Sequence, residues 1–146
     1  MLTRPQPLHQ GFTLMELLFV VILIAILATF ALPAYHKSME RRYWHQAREA
    51  LYAIYAGERA YFFAADAYFD PGDCDPANLV TCDPLQWQVI HMDIPAAASV
   101  PVMFTVTVTL PPTPTFTATA THTVITTKSM TINQTNTLDI SAWPYP

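Results

Sequence analysis

Few side chains in this sequence are placed where they could do chemistry, and the first of them is a glutamate in an apolar run. From Phe12 to Leu32 the chain reads FTLMELLFVVILIAILATFAL, and Glu16 is its only ionisable residue. About 20 helical residues cross the roughly 30 Å hydrocarbon core of a bilayer. A carboxylate within such a span costs about 2.5–3.5 kcal/mol on insertion scales, so Glu16 needs a compensating partner. Snorkelling toward headgroups near a helix end is the plainer alternative for it.

Other reactive groups are sparse. The two cysteines, Cys74 and Cys82, lie close together in DPGDCDPANLVTCDP, without a CxxC pair or a histidine at metal-ligand spacing. A disulfide closing a surface loop outside the cytoplasm is the expected use. Asp70, Asp73 and Asp75 gather oxygen ligands of the kind calcium prefers, but they lack EF-hand spacing and a closing glutamate. A solvated acidic loop is the simpler reading, and no metal or other cofactor is expected. His9, His36, His45, His91 and His122 are scattered. No nucleophile–base–orienter set and no Gly-rich phosphate loop accompany them, so the chain is not read as an enzyme.

The elements that position these residues follow from periodicity. Tyr35, Met39, Tyr43, Ala47, Leu51, Ile54, Tyr61 and Ala65 recur at helical spacing, with most charges off that face. Phe12 to about Ala65 therefore reads as one long helix, apolar all round at first and one-faced afterwards, with Pro33 expected to bend it. Residues 66–84 read as loop. LQWQVIHMDI (Leu85 to Ile94) is expected as a first short strand. FTVTVTL (Phe104 to Leu110) and FTATATHTV (Phe116 to Val124) alternate strictly and predict half-buried strands. MTINQTNTLDI (Met130 to Ile140) predicts a weaker strand with an Asn-containing turn. The sum is an α+β fold, a long helix whose amphipathic half packs on an antiparallel sheet of three or four strands.

At 146 residues, a chain with this apolar segment has room for one modest core besides it. The formal charge is −4, unevenly spread: a slight basic excess lies between His36 and Phe63, and only aspartates lie between Asp66 and Asp93. No basic stripe crosses the globular part, which argues against nucleic-acid binding. The threonines fit solvent faces of strands, and O-glycosylation of them would rest on composition alone. The aromatics Tyr35, Tyr43, Trp44, Tyr52, Tyr55, Tyr61, Phe62 and Phe63 are expected to pack rather than to carry electrons.

GFTLMELLFVVILIAILATFALPAY closely resembles the N-terminus of type IV prepilins and of the pseudopilins of type II secretion. The resemblance implies cleavage by a membrane peptidase between Gly11 and Phe12, with residues 1–11 as leader, followed by N-methylation of Phe12. It implies residues 12–35 as the transmembrane and filament-core half of the helix and 36–65 as its amphipathic half. Residues 66–146 would be the loop and sheet head, with Pro33 in the helix-bending region. Glu16 then matches the glutamate that pairs with the methylated amino terminus of a neighbouring subunit and sets assembly register. GERAYFFAADAYFD and TFTATATHTVITTKSMTINQTN are similar to the helix-to-loop passage and the late hairpin of pilins. The chain departs from the pattern in having no cysteine after Cys82, and Ala25 where glycine is frequent.

The implied function is a structural pilin or minor pilin of a type IV pilus-like filament. Its partners would be other pilin subunits, the prepilin peptidase and methyltransferase, and the inner-membrane assembly platform. The precursor would be single-pass in the inner membrane and the mature chain extracellular or periplasmic. A type II secretion pseudopilin and a non-polymerising, membrane-anchored binding domain are the alternatives. Lys37, Arg41 and Arg42 follow the apolar run and Arg4 precedes it, a distribution that by itself favours a cytoplasmic C-terminal side. The resemblance implies the opposite orientation.

Overall fold

The computed structural model describes residues 12–75, 82–92, 101–110 and 112–146. Helix α1 (Leu14–Ala65) opens the described chain, followed by a short helix α2 (Pro84–Val89). Strands β1 (Val102–Thr109), β2 (Thr115–His122), β3 (Ser129–Asn133) and β4 (Leu138–Asp139) complete it. The strands form one antiparallel sheet in sequential order, β1-β2-β3-β4. The chain divides into two compact units, residues 1–38 and 39–146.

In the first unit the helix from Leu17 to Leu32 carries apolar side chains on every side. Leu14, Leu17, Phe19, Leu23, Leu27 and Phe30 are each more than half exposed. The helical assignment runs through Pro33.

The second unit is an α+β body built on period. The helix face that repeats every three to four residues buries Trp44, Ala47, Leu51 and Ile54. These side chains join one core with the inward residues of the sheet: Val102, Phe104 and Val106 of β1, Phe116, Ala118 and Ala120 of β2, and Met130 and Ile132 of β3. Threonines take the alternate positions, opposite one another in the register Thr105↔Thr119↔Thr131. β-Branched hydroxyl side chains suit such a pleated outer face.

Two hairpin turns have side-chain causes. The Asn133 Oδ1 accepts the backbone N–H groups of Thr135 and Thr137, and Asn136 takes a φ of 60°. The predicted single strand at Met130–Ile140 is therefore split into β3 and β4 around that Asn turn. Before β3, the His122 Nδ1 accepts the N–H groups of Val124 and Ile125 and closes the β2–β3 connection.

One predicted element is corrected. Leu85–Ile94 is not a strand: its described part is α2 and the turn after it, and residues 93 and 94 lie outside the described residues. The apolar–polar alternation of LQWQV is coincidental, because Leu85 and Val89 are exposed while Trp87 and Ile90, three apart, are buried. Asp83 caps the helix by accepting the Leu85 N–H at 3.0 Å, and Pro84 occupies its first turn. An Asp N-cap followed by proline starts a helix at little cost, since proline's missing donor would have had no partner there.

Cys74 and Cys82 are joined by a disulfide. Cys74 also pairs with Phe104 through two backbone hydrogen bonds of 2.8 and 2.7 Å, so the crosslinked loop is anchored on the outer edge of β1.

Candidate functional site

The N-terminal end of α1 is built from Phe12, Thr13 and Glu16. Phe12 lies outside the helix and is 73% exposed. The Thr13 Oγ1 accepts the Glu16 N–H at 3.2 Å, and the Thr13 carbonyl accepts the N–H groups of Glu16 and Leu17 at 3.1 and 3.2 Å. Thr13 is thus the N-cap and Glu16 the third helical residue. A carboxylate in the first turn meets the positive end of the helix dipole, worth about 0.3–1 kcal/mol at an exposed site. The Thr-x-x-Glu spacing of a capping box was present in the sequence as a signal for this geometry. Among the described residues no cationic side chain pairs with Glu16.

Beyond that first turn, residues 17–32 of the helix are apolar apart from Thr29. Its most apolar 18-residue window has a mean hydropathy of 2.9 and none of it is buried, so it is long and apolar enough to cross a membrane. The Thr29 hydroxyl donates back to the Ile26 carbonyl at 2.6 Å, which satisfies it without water. A fully exposed apolar cylinder headed by one carboxylate is stable only in lipid or against other such helices.

Apart from Pro33, the remaining sequence-derived candidates belong to the second unit or lie outside the described residues. Gly11 lies outside the described residues. Cys74 sits on the edge of β1, and the Asp70 Oδ1 accepts the Gly72 N–H at 2.9 Å within its own loop. Among the described residues, no group of three His, Cys, Asp or Glu side chains is arranged to hold a metal ion. Part of the aromatic set packs: Phe62 stacks on Tyr68, which meets Phe116, so rings tie helix, loop and sheet together, whereas Tyr35 and Phe63 are exposed.

Sequence reasoning missed one buried carboxylate. Glu58 is fully buried on α1, its Oε2 accepting the Phe69 N–H at 3.0 Å and its Oε1 left without a partner. Burial raises its pKa from 4.5 to about 7, opposed by the Phe69 hydrogen bond and helped by the nearby Asp70 charge. The signal was positional: Leu51, Ile54, Glu58 and Tyr61 follow the spacing of the buried helix face.

These features agree with known proteins. Residues 7–32 match the prokaryotic N-terminal methylation motif. The chain is 38% identical over 68 residues to the type IV major pilin protein PilA of Myxococcus xanthus (strain DK1622). Over that stretch the chain resembles type IV pilins. The aligned part makes up 47% of this pilin-like chain and 31% of the relative, so the match spans about a third of the relative's length. No solved structure is significantly similar to it. The long apolar helix and the small antiparallel sheet make its fold α+β, as the pilin resemblance implied.

Proposed function

We propose that this chain is a structural subunit of a type IV pilus-like filament. It is made as a precursor held in the inner membrane by α1, cut between Gly11 and Phe12 by a prepilin peptidase and N-methylated at Phe12. An inner-membrane assembly platform then transfers it into the filament. The observation that carries this reading is the match of residues 7–32 to the methylation motif, together with the exposure of the apolar first half of α1. Lateral packing of such helices removes that surface from lipid and water together.

Cleavage creates a new ammonium at Phe12, one turn before Glu16. The carboxylate of one copy and the ammonium of its neighbour then neutralise each other in a low-dielectric core, where either alone is costly. The pair therefore acts as a register device: helices slide freely along apolar surfaces except where the charges must meet. The mature chain, exported with its sheet domain outside the cytoplasm, does no catalysis; the chemistry is performed on it.

The test is mass spectrometry of the chain recovered from sheared surface filaments. The expected result is an N-terminus at Phe12 carrying one added methyl group. Recovery only from membranes, with Met1 retained, would favour a non-polymerising anchor and overturn the proposal.

A further inference from the structure

The charges of the second unit are separated into two patches. On the exposed side of α1, Arg41, Arg42 and Arg48 stand clear of the core, with Glu49 beside them. On the loop after α1, Asp66, Asp70 and Asp73 are exposed, and no lysine or arginine occurs between residues 66 and 92. Among the described residues neither patch is neutralised within the chain: the one ion pair joins Lys128 to Glu40.

The basic patch is also held in place. The Arg48 guanidinium lies over the rings of Trp44 and Tyr52 at 5.6 and 5.4 Å. Arg41 lies 5.7 Å over Tyr145, and its Nε donates to the Pro146 carbonyl at 3.0 Å. Stacked guanidinium groups have already lost much of the rotamer freedom that docking would otherwise cost.

We infer that the basic face of α1 docks on the acidic loop of a second copy of this chain. The argument is charge complementarity between two patches that are unlike each other. An interface between unlike patches is heterologous, so each copy keeps one patch open for the next and the contact propagates rather than closing. An antiparallel pair could satisfy both patches at once, but copies inserted in one membrane point the same way. The inference rests on the filament reading in that respect. Arg48 and Asp66 are separated by 18 residues, of which the helical rise makes about 27 Å along α1. Two copies joined by these patches are staggered along their helices by about that distance, so they are not the pair whose Phe12 and Glu16 meet, residues only about 6 Å apart along the chain axis. Steering by opposite charge would also select matching subunits before the apolar helices engage.

The test uses the full chain in cells that make the filaments. Reversing one patch by Arg42→Glu with Arg48→Glu, or the other by Asp70→Lys with Asp73→Lys, is expected to cut surface filaments about tenfold or more. Membrane levels of the precursor should be unchanged in both. Combining the four substitutions restores the complementarity with opposite sign, and filament number should return to within about threefold of the parent. Undiminished filaments in either reversed variant, or failure of the combined variant to recover, overturns the docking inference while leaving the subunit reading intact. Absence of the unaltered chain from the filaments overturns the subunit reading itself.

Discussion

The indole Nε1 of Trp44, midway along α1, donates to the backbone carbonyl of Trp143 at 2.9 Å, across 99 residues of sequence. That bond holds the segment after β4 on the helix, where Trp143 is buried and Tyr145 meets the rings of Trp44 and His45. Trp44→Phe keeps an aromatic ring but removes the donor with part of the indole, leaving a buried carbonyl without its partner. A loss of about 1–3 kcal/mol is expected, read as a lower thermal midpoint of the detergent-solubilised chain.

At Gly57, α1 lies tight against the turn after α2. A Cβ built there would lie 1.9 Å from the Ile90 carbonyl oxygen, which is backbone and cannot rotate away. Alanine in a helix is normally better than glycine by about 1 kcal/mol. Here Gly57→Ala should instead destabilise by at least about 2 kcal/mol, since one of the two segments must shift. Chemical denaturation of the variant checks the sign.

Glu58 makes stability depend on pH. Its folded pKa, about 7, exceeds the unfolded value of 4.5, so between those values the native state binds more protons than the unfolded state. Stability is then highest near and below pH 4.5 on this account and falls as the pH rises through 7. Phe69 and Asp70, from the loop, are the groups acting on it besides burial. Glu58→Gln should abolish that fall. Melting curves from pH 4 to 8 that keep the same slope in the variant would show that another group is responsible.

His122 gives the opposite limb. Burial lowers its pKa below 6.5, and its Nδ1 accepts two backbone N–H groups, which only the neutral ring can do. The unfolded chain takes up the proton first, so this contribution is present above pH 6.5 and is lost as the pH falls below it. In the Glu58→Gln background the limb stands alone, and stability should decline on acidification. His122→Gln in the same background should flatten the profile.

Glu16→Ala tests the register device separately from membrane insertion. Removing a carboxylate from an apolar span makes insertion easier, by about 2.5–3.5 kcal/mol on insertion scales. Precursor in the membrane should therefore be undiminished while surface filaments are strongly reduced, as counted by electron microscopy.

How much of this was legible in advance varied with the range of the cause. The span, the amphipathic half of α1 and strands β1 and β2 were readable because a period of 3.6 or 2 is written in consecutive residues, and burial of one face follows from it. β3 and β4 were half-readable, since the Asn133 turn was foreseen and the division into two strands was not. α2 was misread as a strand because six residues are too few to show a helical period, and the core selected Trp87 and Ile90, three apart. Glu16 and the motif around it marked this end of α1 in the sequence, although the capping role of Thr13 became plain only with the helix start in view.

The sequence by itself determined a membrane-length helix with one acid near its head, a processing motif and a Thr-faced sheet, because each is a short-range pattern of residue type. Only the tertiary structure decided that Glu58 is buried with an unsatisfied oxygen, that Gly57 admits no side chain, and that Trp44 captures the segment carrying Trp143. Those outcomes depend on which distant backbone atoms arrive beside a given side chain. Desolvation, steric contact and hydrogen bonding act over a few ångströms in space, regardless of separation along the chain.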